Sequence, residues 1–346
     1  MSIIETAKLA GVSTATVSRV VNYSPNVSEE CIRRVRRAMK HLGYNPVGKN
    51  KMPAFLNCVG LLVVSNHMFD PFSSVGHLLI KGASEALRKK GVDMILSYVS
   101  EPDNLPDYVV HRKVQGLIVM GHNPNKQLVD KLSDIPVVWM TSHNTNKGDV
   151  VLAGNEQIGK IAAEYLIARG HQSIAVLNTL TEAAGETRAK FFRFIAKDSG
   201  VKVSVFYPEK PSAKIWDNDI DLEWFENEVA QQVERMLGSE NRPTGLFIPS
   251  DFQTAMVYRI LQKKGIRPGF DIDIISTDDE KGALMGLYPR PATINIGAKS
   301  MGECAVEYLL MQGSPLEKSR VQISIKPQLI AGENTNTNWS SANHKN

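Results

Sequence analysis

The chain has 346 residues, 42% apolar and 22% charged, a length beyond what a single growing core accommodates, so about two or three domains are expected. Its three cysteines, Cys31, Cys58 and Cys304, stand far apart with no CxxC pair, which argues against a disulfide framework or a zinc knuckle, and its longest apolar run, "VGLLVV", falls far short of the roughly 20 residues that span a bilayer. The net charge of +4 is unevenly placed: residues 1–51 hold nine Lys or Arg against three acids while the rest has 31 basic and 33 acidic residues, so the amino-terminal end alone carries the footprint of a polyanion partner.

Apolar residues in the first 45 positions recur at helical spacing in three sets: Ile4, Ala7 and Ala10; then Val17, Val20 and Val21; then Ile32, Val35, Met39 and Leu42. They predict three short helices. Ser13 and Ser28 stand where N-caps belong, Glu29 and Glu30 complement a helix N-terminus, and Gly43 suits a C-cap. Gly11 marks the tight turn of a helix-turn-helix. On the second helix the valines share one face, leaving Thr14, Ala15, Ser18 and Arg19 pointing elsewhere. Small side chains let a helix approach the floor of the DNA major groove, hydroxyls bond base edges or phosphates, and an arginine can bond guanine bidentately. Arg33, Arg34, Arg36 and Arg37 would add sequence-blind attraction to phosphates. The plainer alternative is a solvent-facing bundle whose Ser and Thr are incidental.

From Val47 to Asn57 the period breaks in "VGKNKMPAFLN", which reads as a linker. Short apolar runs then alternate with amphipathic stretches: "CVGLLVV", a helix near 74–90, "VDMILSYV", "QGLIVMG" and "PVVWM". A second series follows: a helix near 157–168, "SIAVLN", a helix near 186–198, "VKVSVFY", a helix near 222–237, "TGLFIP", a helix near 252–263 and "DIDIIS". This rhythm predicts βαβ units and two similar parallel-sheet α/β lobes in tandem, with ligand held beyond the carboxyl ends of their strands. The Asn-rich polar stretch from Asn334 reads as a disordered tail.

Enzymatic chemistry finds little support. Asp278 and Asp279 are adjacent and point different ways, with no partner carboxylate evident in the sequence. "GLIVMGH" has the glycine spacing of a phosphate loop but lacks the Lys-Ser/Thr that follows one, and reads as a buried strand and its turn. No GxSxG or HExxH occurs, and the eight histidines are scattered, His171 reading as structural. No cofactor or metal is expected, and the absence of an apolar signal core, with few cysteines, points to a cytoplasmic setting.

The runs "AKLAGVSTATVSRVVN" and "VSEECIRRVRRAMKHLGYNP" strongly resemble the DNA-binding headpiece of the lactose/galactose-repressor (LacI/GalR) family of bacterial transcription regulators. The likeness continues through "DPFSS", "LIARGHQSIAVL", "ETRAKFF", "PSDFQTA", "STDDE" and "RPATINIGAKSMGECAVEYL" to about Glu333. It implies an all-α helix-turn-helix headpiece over residues 1–46, a hinge over 47–57, a two-lobed core resembling a type 1 periplasmic binding protein over 58–333, and a tail over 334–346. By that similarity Thr14, Ala15 and Arg19 read bases, while Ser13, Thr16, Ser18, Asn22, Asn26 and Ser28 hold phosphates. The family's hinge helix carries a leucine wedge, but here Pro53 stands near that place, and Pro inside a helix costs about 3 kcal/mol; Met52 or Leu56 is an alternative wedge, and a plain tether is the other reading.

The same resemblance places an effector, expected to be a sugar or sugar derivative, against Asp70, Phe72, Ser73, Thr141, Arg188, Ser250, Asp251 and Asp278. Carboxylates and arginine bind vicinal hydroxyls through charge-assisted hydrogen bonds, and an aromatic ring covers a sugar face. Each has a structural alternative: Asp251 and Asp278 as helix caps, Phe72 as core, Trp216 and Trp224 as surface packing rather than cleft lining. Ser250 replaces a common Asn and Ile296 a common Gln, which suggests an effector less hydroxylated than a hexose or held differently. The implied partners are double-stranded operator DNA, a small effector and a second copy of the chain, with no membrane. A bilobal sugar-binding protein or carbohydrate-active enzyme without DNA regulation is the alternative.

Overall fold

The computed structural model describes residues 2–21, 27–42, 44, 57–64, 74–99, 104–121, 126–141, 148–179, 183–209, 222–311 and 320–333. Gly43, the linker residues up to 56 and the tail from 334 lie outside them.

Helix α1 (Ile3–Ala10) starts at a capping box, the Ser2 N–H donating to Glu5 Oε2 at 2.8 Å and the Glu5 N–H to Ser2 Oγ at 3.4 Å. It ends at Gly11, whose φ of +63° only glycine adopts cheaply, and the N–H groups of Gly11 and Val12 close the turn onto the carbonyls of Lys8 and Ala7. Helix α2 (Thr14–Val21) begins with the Ser13 hydroxyl accepting the Thr16 N–H at 3.1 Å. Helix α3 (Glu29–Leu42) begins with the Ser28 hydroxyl accepting the Cys31 N–H at 3.4 Å. Ala7, Ala10, Val17, Val20, Val35 and Ala38 form the buried centre of this bundle. The expected inner position Ile4 is 66% exposed, and Ile3 packs inward instead. Counting back from Ala7 by three or by four reaches an isoleucine either way, so spacing could not choose between them.

Two six-stranded sheets follow. The first contains β1 (Cys58–Val64), β2 (Asp93–Val99), β3 (Gly116–Met120), β4 (Val137–Met140), β5 (Asp149–Ala153) and β11 (Gln322–Ile325), in the order β2-β1-β3-β4-β5-β11. The second contains β6 (Ser173–Leu177), β7 (Lys202–Phe206), β8 (Gly245–Phe247), β9 (Asp273–Thr277), β10 (Ala292–Asn295) and β12 (Gln328–Ile330), in the matching order β7-β6-β8-β9-β10-β12. All pairings are parallel except β10 with β12. Central strands such as β1 are buried almost throughout, as expected for parallel strands covered on both faces, whereas the edge strand β2 leaves Ile95, Leu96 and Tyr98 exposed. The "GLIVM" run is strand β3, as read from the sequence.

Helices α4 (Ser74–Lys89), α5 (Asp107–Val110) and α6 (Lys126–Leu132) connect strands of the first lobe. Helices α7 (Asn155–Ala168), α8 (Ala183–Asp198), α9 (Leu222–Leu237), α10 (Asp251–Lys263) and α11 (Lys281–Leu284) belong to the second. A simple tandem arrangement is incomplete, because α12 (Ala298–Met311) and β11 return to the first lobe before β12 closes the second. Helix α12 packs on α4 so closely that a Cβ on Gly82 would collide with the Lys299 carbonyl and one on Gly302 with the Leu79 carbonyl. The chain thus passes between lobes after β5, after β10 and after β11. Two of these passages are tied together where the Gly154 N–H donates to the Ile325 carbonyl at 2.9 Å. Among the described residues no helix is long and apolar enough to cross a membrane.

Candidate nucleic-acid interface and effector cleft

Helix α2 turns Val17 and Val20 into the bundle and leaves Ser13, Thr14, Ala15 and Arg19 exposed, with Thr16 and Ser18 half-buried. The Ser13 and Thr16 hydroxyls lie 2.9 Å apart at the N-terminus of α2, where backbone N–H groups and the helix dipole favour a phosphate oxygen. Ser28 is exposed at the start of α3. The expected contacts Asn22, Asn26 and Met52, like Pro53 and Leu56, lie outside the described residues. Arg33 and Arg37 are exposed on α3. Arg34 departs from the expected phosphate cluster: its guanidinium donates to the Ala10 carbonyl, Nε at 3.0 Å and one NH at 2.7 Å, and to the Gly11 carbonyl at 2.7 Å.

The second polar centre lies at the carboxyl ends of the strands. Asp278 and Asp279 follow β9 with φ of +114° and +56°, a conformation that side chains with a Cβ resist. Four hydrogen bonds impose it. The Asp278 N–H donates to the Ile294 carbonyl at 2.9 Å, the Asp279 N–H to Thr293 Oγ1 at 3.3 Å, the Glu280 N–H to Asp251 Oδ2 at 2.6 Å, and Asn295 Nδ2 to Asp279 Oδ2 at 2.8 Å. The turn directs Asp278 Oδ1 to 3.6 Å from an Arg188 guanidinium nitrogen. Arg188, on α8 and 6% exposed, is fixed from two further sides: its Nε donates to Asn155 Oδ1 and an NH to the Pro249 carbonyl, each at 2.9 Å. A buried arginine whose fork is held this way can present its remaining edge, with Asp278, to vicinal hydroxyls.

Asp251 is fully buried and accepts from the Ser276 and Thr293 hydroxyls as well as from Glu280, so it builds the turn that carries Asp278. Burial pushes its pKa up to about 7, against those hydrogen bonds, which pull it down. Ser250 caps α10, its hydroxyl accepting the Gln253 N–H at 3.5 Å. Thr141, after β4, is buried at φ +65° with its hydroxyl donating to the Met140 carbonyl at 2.6 Å. The structure therefore brings Arg188, Ser250, Asp251 and Asp278 together around the β8 and β9 ends, and places Thr141 at the carboxyl end of the other sheet. Asp70, Phe72, Ser73 and Trp216 lie outside the described residues, and Trp224 packs against the apolar centre beside α9.

Sequence reasoning missed Asn155 and Glu280. Asn155 had a signal, since it opens a helix directly after a strand, as Asp251 nearly does. Glu280 had none: its carboxylate accepts the Ser74 N–H at 2.7 Å, joining the first turn of α4 in one lobe to the second lobe across 206 positions of sequence. Also unforeseen is a buried polar network at the β6 and β7 ends. Thr179 Oγ1 donates to Gln232 Oε1, Gln253 Nε2 to Thr179 Oγ1, and Asn178 Nδ2 and the Tyr207 hydroxyl to the two oxygens of Glu186. His171 is structural, buried between Thr244 and Asp273. Among the described residues no cluster of three or more His, Cys, Asp or Glu could hold a metal.

Comparison with known proteins matches residues 2–47 to the model of bacterial regulatory proteins of the lacI family, and residues 163–335, half the chain, to that of the periplasmic binding protein-like domain. The HTH-type transcriptional repressor PurR of Vibrio cholerae serotype O1 is 29% identical over 343 residues, covering 95% of this chain and 96% of that protein. PurR of Aliivibrio salmonicida is 27% identical over 341 residues, covering 95% and 97%. Among solved structures, a transcriptional regulator CelR–cellobiose complex superposes with a TM-score of 0.67 at 22% identity, covering 96% of this chain and 99% of that one. A Lac repressor dimer bound to operator and the anti-inducer ONPF gives 0.64 at 21% identity, covering 97% and 99%.

Proposed function

Because the chain belongs to the lacI family of bacterial regulatory proteins, we propose that it is a sequence-specific transcriptional repressor, not an enzyme, whose hold on operator DNA is set by a small effector between its lobes. Residues 1–46 serve as the headpiece, 47–57 as the hinge, 58–333 as the effector and dimer core, and 334–346 as a tail. The observation that carries the reading is helix α2, which buries Val17 and Val20 and offers Thr14, Ala15 and Arg19 outward from a glycine turn. Ser13, Thr16, Ser18, Asn22, Asn26 and Ser28 support it on the phosphates, and Met52 is the candidate wedge.

A second copy completes the protein. The edge strand β2, which among the described residues pairs only with β1, exposes apolar Ile95, Leu96 and Tyr98, a surface that a two-fold partner would cover. Two headpieces then meet half-sites about one helical turn apart. The effector is a sugar or sugar derivative, favoured by the Arg188–Asp278 pair and by the solved CelR neighbour that holds cellobiose. Thr141 and Ser250, with Asp70, Phe72 and Ser73, complete its site, and the fully buried Asp251 supports it from behind by holding the turn of Asp278. Effector and operator are coupled through the angle between the lobes, with about 1–3 kcal/mol typical of such linkage. Acting on the chromosome, the protein works in the bacterial cytoplasm, consistent with the free thiols of Cys31, Cys58 and Cys304.

The test is selection of bound duplexes from a random library. An enriched sequence with two-fold symmetry supports the repressor reading, and no enrichment at any salt or ligand condition rejects it.

A further inference from the structure

We propose that Arg34 is a positioning residue for operator reading, its guanidinium acting on the turn before the recognition helix α2 and not on the phosphate backbone. The inference rests on the DNA-binding function above and goes one step further. Arg34 lies on α3 among the four arginines of "RRVRR", where charge alone would assign it to phosphates. Its geometry says otherwise. Ala10 is the last residue of α1 and Gly11 the turn itself, and carbonyls at a helix C-terminus lack intrahelical partners and carry the negative end of the dipole. Three donor contacts from one guanidinium, at 3.0, 2.7 and 2.7 Å, satisfy them from α3.

Clamp and glycine also depend on one another. At φ +63° Gly11 opens its carbonyl toward α3, and a Cβ there would stand 3.0 Å from the Arg34 nitrogen that reaches both carbonyls. Only Val12 and Ser13 separate this clamped turn from the first residue of α2. Base-edge hydrogen bonds need donor–acceptor distances of about 2.7–3.2 Å and near-linear angles, so a small tilt of α2 loses them, whereas attraction between charges survives the same tilt. A loosened clamp therefore erodes discrimination between sequences and leaves the number of neutralised phosphates unchanged.

The experiment uses the full chain, a duplex that the unmodified protein selects from a random library, and a scrambled duplex of equal length, each titrated over a range of salt. Arg34→Met, which keeps the aliphatic stem, is expected to weaken binding to the selected duplex by about tenfold or more, to leave the scrambled duplex within about twofold, and to keep the log–log salt slope. A slope shallower by about 0.9 would make Arg34 a phosphate ligand and overturn the proposal. So would equal losses on both duplexes. Arg34→Lys separates charge from fork and carries the test if Arg34→Met unfolds the headpiece. It is expected to remain impaired on the selected duplex with an unchanged slope, and wild-type binding by the lysine variant would refute the clamp. Failure of the unmodified protein to distinguish the duplexes would reject the DNA-binding function itself, whereas discrimination untouched by either variant would reject only the role of Arg34.

Discussion

Replacing Arg188 by lysine keeps the positive charge beside Asp278 and removes its geometry. Arg188 is 6% exposed, and its guanidinium bonds Asn155 Oδ1 and the Pro249 carbonyl while facing Asp278 at 3.6 Å. A single ammonium cannot reproduce that fork, so one charge-assisted hydrogen bond is lost, worth about 1.5–3 kcal/mol. In a folded body of this size each kcal/mol shifts the melting temperature by about 2–4 °C, so the ligand-free variant is expected to melt roughly 3–12 °C lower. The decisive readout is the shift on adding effector. Wild-type protein is screened by thermal melting against sugars, sugar acids and sugar phosphates, and a ligand at a hundred times its Kd stabilises by about 2.7 kcal/mol, roughly 5–11 °C. Arg188→Lys is expected to abolish that shift while ligand-free operator binding persists. If the variant, once its lower baseline is subtracted, responds to the same ligand by the same amount, Arg188 is not at the effector and the reasoning from its buried fork fails.

On the proposed function the exposed Arg19 bonds a base bidentately, a contact worth about 1–3 kcal/mol, so Arg19→Ala should lower operator preference, measured against random duplex, about five- to 150-fold with effector affinity unchanged; undiminished preference would take Arg19 out of the groove. Glu280→Ala deletes the carboxylate that holds the first turn of α4 from the opposite lobe, a cap worth about 0.5–2 kcal/mol, and calorimetric titration should show effector binding weakened about two- to thirtyfold. An unaltered Kd would mean that this bond does not bias lobe closure. Asp251 has its pKa raised to about 7 in the fold against about 3.9 unfolded, so the native state holds the extra proton between those values and the contribution is fully present below about pH 4 and lost as pH rises to about 7. Urea midpoints at pH 4.5 and 7 should therefore diverge less in Asp251→Asn than in the parent. Identical pH dependence in the two proteins would assign the effect elsewhere.

The headpiece was largely legible in the sequence because its determinants are local. Ser13 and Ser28 cap where expected, Gly11 turns where expected, and valine spacing set the inner face of α2. Ile3 and Ile4 were interchangeable to any periodicity argument, and only packing against the buried centre of the three-helix bundle separated them. The βαβ rhythm likewise exposed two lobes, since central parallel strands are continuous apolar runs. The return of α12 to the first lobe was hidden, because an amphipathic helix reads the same whichever sheet it covers. Arg188 and Asp278 could be placed by motif, but the left-handed turn at Asp278 and Asp279, the Asn155 clamp and the Glu280–Ser74 bond depend on pairings between distant segments, which no local pattern encodes. Arg34 shows the converse: composition assigned it to phosphates, and geometry assigned it to two carbonyls.

The central claim is that α2 lies in a duplex groove, twice, at a spacing set by a two-fold body. Hydroxyl-radical footprinting of the selected duplex measures this directly. Two symmetric protected patches, centred about 10–10.5 base pairs apart or a multiple of that, and lost together in Arg19→Ala, are the expected result. A single unsymmetrical patch, or protection that follows neither sequence nor Arg19, would contradict it.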